Sequence, residues 1–274
     1  MDLKIIIGVV IVVIILYLIW TFFFTSVKML MSFQSANTLN CISGKQVAQS
    51  GLNNYSFSVW TYINDWTGNY GSPKNIISIQ SPPSIGQLVP NTLFQLFLDA
   101  NRNDLHIYVK HAPVVNSSPL DNTQTSDDVS NYQQSPPQNM KSTCSITNFP
   151  VQAWVNISIS VYNRAVDVYI DGKLVRTCSL ANVALPIDSG STIYIGGSGS
   201  GGNNKCSGGG ELVGFTGYIA SVLYNPDIIS PQDAWNTYAR GYNNSVFGMN
   251  NLFQRYKLEF SFLKDNSVIK SFEI

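Results

Sequence analysis

Trp154-Val-Asn-Ile-Ser-Ile-Ser-Val-Tyr162 is the stretch on which the fold of this chain turns. Val155, Ile157, Ile159 and Val161 alternate with Asn156, Ser158 and Ser160 at a period of two. That is the pattern of a strand with one face turned to a core. Asn163-Arg164 then turns the chain into a second run, Ala165 to Ile170. Asp171-Gly172 makes a tight hairpin into a third run, Lys173 to Cys178, because such a turn needs left-handed backbone that Asp and Gly supply at low cost.

Working outward, the same period recurs. Tyr55-Ser-Phe-Ser-Val-Trp-Thr-Tyr-Ile63 alternates large apolar with small polar residues, and Asn75 to Gln80, Leu93 to Leu98 and Leu105 to Lys110 are further strands. Thr192 to Ile195 and Phe215 to Tyr224 complete about ten. Residues 113–150, rich in Ser, Asn, Gln, Pro and Asp, read as a long surface insertion, and Gly196 to Gly210 as a second loop. One helix is marked: Ser230 as N-cap, Pro231 at the first helical position, Asp233 in the first turn and Gly241 as the stop. The tail alternates again from Arg255 to Leu263, turns at Asp265-Asn266 and closes as a hairpin with Val268 to Ile274. Many short strands with one helix predict a mostly β fold, a jelly-roll β-sandwich.

The first residues are unlike the rest. Ile5 to Phe24 carries no charge over twenty residues, enough for a helix of about 30 Å, the thickness of a bilayer's hydrocarbon core. Trp20 falls near its far end, where an interfacial aromatic belt would place it. A cleaved signal peptide would have a shorter apolar run and a better cleavage site than Thr25-Ser26-Val27-Lys28. The expected plan is therefore a transmembrane anchor at 1–27, a stalk at 28–54, the sandwich at 55–250 with its insertion at 113–150, and a terminal hairpin at 251–274. Lys4 on one side and Lys28 and Lys45 on the other leave the orientation open.

Charged residues make up 12% of the chain, and Lys+Arg and Asp+Glu balance at 16 each. No basic stripe is present to track phosphates, so no nucleic-acid partner is expected.

The strand Phe57 to Ile63 resembles the laminin-G-like branch of the concanavalin A-like lectin/glucanase superfamily. So do Trp154 to Ile159 with Val168-Tyr-Ile-Asp171-Gly172-Lys-Leu-Val175, and Gly214 to Tyr224 with Ser230 to Tyr238. The order of these stretches carries the likeness more than any one motif. More narrowly, the chain is similar to membrane-anchored laminin-G-like virion proteins of large double-stranded DNA viruses. Those share an N-terminal anchor, paired cysteines around the Trp and Asp-Gly hairpin, and a closing hairpin. The resemblance implies a minor capsid-membrane component in the internal membrane beneath a capsid shell. Its partners would be the bilayer and other virion or membrane proteins. A membrane-anchored lectin that binds glycans is the alternative, with Trp66 and Tyr70 as candidate contact aromatics. The four cysteines allow three pairings; the resemblance implies Cys144 with Cys178, leaving Cys41 with Cys206. Four reduced, buried thiols are the other reading.

The superfamily includes glucanases, so a catalytic site must be weighed. Retaining glycosidases need two carboxylates about 5 Å apart. Glu211, Glu259 and Glu273 are the only glutamates, and none has an acidic residue two or four positions away. Asp167 and Asp171 are four apart, but Asp171 is explained by its turn. His106 and His111 have no Cys or carboxylate at zinc-ligand spacing. No enzyme, no catalytic residue and no metal ligand is expected. Laminin-G-like domains often hold calcium at a rim. Asp99, Asp104, Asp171 and Asp188 lie at strand ends, and each is equally explained as a turn residue. Asn54, Asn116, Asn156 and Asn243 begin Asn-x-Ser sequons.

Overall fold

A computed structural model describes residues 12–14, 16–17, 27–47, 53–82, 91–113, 143–200, 206, 212–242, 259–264 and 267–273, the last two ranges as backbone. The expected anchor lies mostly outside these residues. Of it, Val12–Ile14 and Leu16–Tyr17 are helical and exposed, and among the described residues no helix is long and apolar enough to cross a membrane. Most of the 113–150 insertion also lies outside them.

The strands in chain order are β1 (Lys28–Ser35), β2 (Thr38–Ser43), β3 (Tyr55–Asp65), β4 (Lys74–Ser81), β5 (Asn91–Leu98), β6 (Leu105–Val109), β7 (Cys144–Ile146) and β8 (Trp154–Tyr162). After these come β9 (Ala165–Ile170), β10 (Lys173–Ser179), β11 (Thr192–Ile195), β12 (Gly199–Ser200) and β13 (Thr216–Asn225), helix α1 (Pro231–Arg240), and the terminal pair β14 (Glu259–Lys264) and β15 (Ser267–Glu273). A six-stranded sheet runs β1-β13-β3-β8-β9-β10, and a seven-stranded sheet runs β12-β2-β11-β4-β5-β6-β7. Pairing is antiparallel except between β12 and β2. The chain crosses between the two sheets several times, with β4 to β7 consecutive in one sheet and β8 to β10 consecutive in the other, which gives a β-sandwich of the jelly-roll class.

One continuous core lies between the sheets. Tyr55, Phe57, Val59 and Ile63 of β3 and Val155, Ile157, Ile159 and Val161 of β8 enter it from one side. Ile77 and Ile79 of β4, Phe94, Leu96 and Leu98 of β5 and Ile107 of β6 enter from the other. The alternation that predicted these strands is the alternation that fills this core.

The segment 28–54 is not a stalk. Its first half forms β1, bonded along β13 from Lys28↔Tyr224 to Ser35↔Tyr218, and β2, bonded to β11. Met29, Met31 and Phe33 do alternate, but Leu30 between them and the polar ends of the run dilute the period. The terminal hairpin forms as expected, with Phe260 opposite Phe272. Its two strands pair only with each other, as a sheet of their own.

Helix α1 begins as its sequence dictates: Ser230 Oγ accepts from Asp233 N at 3.2 Å, and Gly241 ends it at φ 81°. The Asp171-Gly172 turn has positive φ at both residues. Gly172 is required a second time, because a Cβ there would lie 2.9 Å from Cα of Trp235 on α1.

Candidate functional site: the outer face of the six-stranded sheet

Residues of the six-stranded sheet that point away from the core fall into two groups. The first is small and polar. Asn156 Nδ2 donates to Ser58 Oγ at 3.1 Å, and Ser158 Oγ lies 2.9 Å from Ser58 Oγ and 3.1 Å from Asn156 Oδ1. These three groups form a closed ring of buried contacts. Ser160 Oγ accepts from Ile229 N at 3.1 Å, and Ser56 Oγ donates to the Asp227 carbonyl at 2.7 Å. Small side chains with inward-looking hydroxyls let α1 settle close to the sheet, with Ala234 and Ile229 against Tyr169. Asn156, the sequon inside a strand, is thus fully buried, and no glycan fits there.

The second group is a ladder of aromatic rings. Phe33 of β1 stacks on Tyr218 of β13 with centroids 5.4 Å apart. Tyr218 lies 6.5 Å from Tyr62 of β3, and Tyr62 lies 5.5 Å from Trp154 of β8. Trp154 stacks nearly parallel on Tyr242 at 4.2 Å. Tyr242 reaches Trp60 at 6.2 Å, and Trp60 stacks on Tyr238 of α1 at 5.7 Å. The strand register sets these rings side by side, since Tyr62 is opposite both Trp154 and Tyr218. Phe33 is 55% exposed and Tyr218 44%, so two rings at one end of the ladder meet solvent. Beside α1 the face deepens into a cleft of about 210 Å³. Ser56, Ser58, Asn225, Thr237 and Arg240 supply its polar lining, and Leu223 and Val27 its apolar side.

The aromatics singled out from sequence lie elsewhere, at the rim beyond β3. Tyr70 is exposed there. Trp66 is not: it packs against the core, and the Lys74 ammonium stands 5.2 Å from its ring centroid. A strongly periodic strand end makes a following Trp look like a loop residue, although here it caps the core. The outer ladder escapes sequence reasoning because its members come from five separated segments and only the register brings them together.

Lys74 is fully buried. Its Nζ donates to the carbonyls of Ala100 at 3.3 Å and Ser72 at 3.4 Å. Burial pushes this ammonium's pKa down, and Asp99 nearby opposes the shift. Burial pushes the Asp99 carboxyl up, but the N–H groups of Asn101 and Arg102 and the ring of His106 outweigh it and hold Asp99 below the usual carboxylate range. Asp104 Oδ1 accepts from Asn148 N at 3.1 Å, and Asp171 Oδ1 from Asn156 N at 2.9 Å. Three of the four rim aspartates are therefore engaged by backbone N–H groups. Among the described residues no three His, Cys, Asp or Glu side chains gather as a metal-binding group. His106 Nε2 lies 3.2 Å from Asp99 Oδ2, and His111 Nδ1 lies 2.8 Å from the Ala112 carbonyl. Glu211 is outside the described residues.

Both implied disulfides are present. Cys144–Cys178 ties β7, at the edge of one sheet, to β10, at the edge of the other, with Cα atoms 5.8 Å apart. Cys41–Cys206 ties β2 to the Gly-rich loop at 5.7 Å.

No protein-family model matches the chain, and no curated protein matches it. Among solved structures it is similar to Trypanosoma rangeli sialidase in complex with 2,3-difluoro-KDN, at 12% identity and a TM-score of 0.41, covering 68% of this chain and 23% of that one. It is similar to the ligand binding domain of botulinum neurotoxin serotype D in complex with N-acetylneuraminic acid, at 14% identity and a TM-score of 0.43, covering 78% and 45%. A third is the binding domain of botulinum neurotoxin serotype G, at 12% identity and a TM-score of 0.37, covering 77% and 38%. The chain spans less than half the length of each, and the likeness is one of β-sandwich architecture.

Proposed function

We propose that this protein is a non-catalytic, lectin-like binding module, held at a bilayer by Ile5 to Phe24, that takes glycan on the outer face of its six-stranded sheet. The exposed aromatic ladder is the observation that carries this reading. A flat ring offers its face to the C–H side of a pyranose, and the hydroxyl, amide and guanidinium groups of the cleft further along the face would hydrogen-bond other units of the same glycan. Phe33, Tyr218 and Tyr242 are the ladder rings most open to solvent, and the Ser, Asn, Thr and Arg240 cleft lies further along the same face, where Leu223 and Asn225 of β13 line it. Exposed aromatic clusters of this kind serve interaction rather than folding.

The test is a glycan array probed with the full-length chain in nanodiscs. Glycan binding that falls by about tenfold or more in Tyr218→Ala, with the thermal transition unmoved, is the expected result. A flat array, with and without calcium, sinks the lectin reading. In that case, cross-linking from position 218 to a protein neighbour would assign the face to protein contact instead. The resemblance to virion proteins proposes where such a module works: an internal membrane beneath a capsid shell. That setting requires the protein in purified particles and its release by detergent.

A further inference from the structure

β13 carries both halves of the outer-face site, and by spacing alone it should not. Tyr218 belongs to the aromatic ladder, while Leu223 and Asn225 line the cleft. Tyr218 and Leu223 are five residues apart. In a regular strand an odd spacing puts side chains on opposite faces. The core residues of β13 break step as well, since Ile219 and Val222 both enter the core although they are three apart. Register locates the change of step. Ala220 is opposite Trp60 and Leu223 is opposite Ser58, so Ser221 and Val222 together stand against Val59 alone. This is a β-bulge, and Ser221 is its extra residue, at φ 46°.

Left-handed backbone at a bulge is where glycine is the unstrained choice. A serine there stores strain, and strain of this kind persists where it serves a site. Among the described residues nothing takes the Ser221 hydroxyl. Met31 is opposite Val222 and Phe33 opposite Ala220, so the register sets the exposed Ser32 across from Ser221. The two serines lie between the open rings of Phe33 and Tyr218 and the cleft. We infer that Ser221 is the middle contact of the glycan site: its bulge brings ladder and cleft onto one face, and its hydroxyl hydrogen-bonds the sugar unit that bridges them. The inference rests on the lectin reading above and adds a size to it. From Tyr218 to Asn225 the strand runs roughly 20 Å. One or two pyranose rings do not cover that length, so the occupant is an extended oligosaccharide and not a single terminal sugar.

The full-length chain in nanodiscs is probed on an array that carries length series beside its other glycans. The series are β-1,4-linked N-acetylglucosamine, α-1,4-linked glucose and α-1,2-linked mannose, from a disaccharide to a hexasaccharide. The expected result is binding about tenfold or more tighter for the hexasaccharide of the recognised series than for its disaccharide, because both halves of the site are then filled by one chain. Ser221→Ala keeps the strain and loses the hydroxyl. It should weaken hexasaccharide binding about fivefold and leave disaccharide binding unchanged. Ser221→Gly loses the hydroxyl and releases the strain, so hexasaccharide binding should fall likewise while the thermal midpoint stays level or rises. Binding confined to single terminal sugars, or as tight for the disaccharide as for the hexasaccharide, overturns the inference. So does hexasaccharide binding in Ser221→Ala equal to that of the unmodified chain. In each of these cases a loss in Tyr218→Ala leaves the lectin reading standing. An array flat for every glycan and at every length overturns both.

Discussion

The inner and outer faces of the six-stranded sheet are made by alternate residues of the same strands, and they are built on opposite principles. Inside, Phe57, Val59, Ile157 and Ile159 join one apolar cluster with no polar requirement beyond backbone pairing. Outside, one end carries a ring of Asn156, Ser58 and Ser158 sealed beneath α1, and the other carries aromatic rings open to solvent. The inner face is specified by volume and hydrophobicity, which many sequences satisfy. The outer face is specified by partners that must all be present at once.

The largest expected effect breaks the inner face. Phe57→Ala removes a fully buried ring that stacks on Phe94 at 5.2 Å. It should cost about 3–5 kcal/mol in denaturant unfolding. Next comes the sealed region of the outer face. Asn156→Ala takes one member from the buried ring and leaves the Ser58 and Ser158 hydroxyls short of a partner, for a loss of about 1–3 kcal/mol.

Two core tyrosines sharpen the contrast further. Tyr224 Oη donates to the Val47 carbonyl at 2.7 Å, whereas the Tyr55 hydroxyl is buried with no partner among the described residues. Tyr224→Phe should cost about 1 kcal/mol, and Tyr55→Phe close to nothing. Burial pushes the Tyr224 phenol up to about 12, and burial with Tyr224 beside it raises Tyr55 as well. A raised folded pKa means stability that is complete below the unfolded value of about 10 and is lost as pH climbs toward the folded one. Unfolding midpoints should therefore fall between about pH 10 and 12, and less steeply in Tyr224→Phe. Lys74 and Lys110, lowered by burial, work in the opposite sense in both proteins and cancel from the comparison. The smallest effect on stability is expected for Tyr218→Ala, within about 0.5 kcal/mol, although it should have the largest effect on binding.

The inner face is legible in the sequence because period two is a local signal. The strands at Tyr55–Ile63 and Trp154–Tyr162, the Asp171-Gly172 hairpin and the Ser230–Gly241 helix all stand close to where the residues put them. β1 is not legible, because Leu30 breaks the run of Met29, Met31 and Phe33 and the strand is stabilised by β13, nearly two hundred residues away. The outer ladder is illegible for a related reason. Nothing within Trp154 to Tyr162 says that Tyr242 will stack on Trp154, or that Phe33 will lie beside Tyr218. Trp66 and Tyr70 look alike as neighbours in a loop, but only Tyr70 reaches solvent. The disulfide partners follow from the resemblance, since spacing alone leaves three pairings open.

β1 is an edge strand, bonded on one side only, to β13. It is also the strand that continues from the apolar N-terminal segment, and it bears Phe33 of the ladder. A partner gripping Phe33 and Tyr218 while the bilayer holds the chain before Lys28 would load β1 along its own axis. Its hydrogen bonds to β13 lie across that axis, so they would share the load in shear instead of unzipping singly. On the proposed reading, the strand that reads least clearly in the sequence would be the tension member between lipid and whatever the outer face holds.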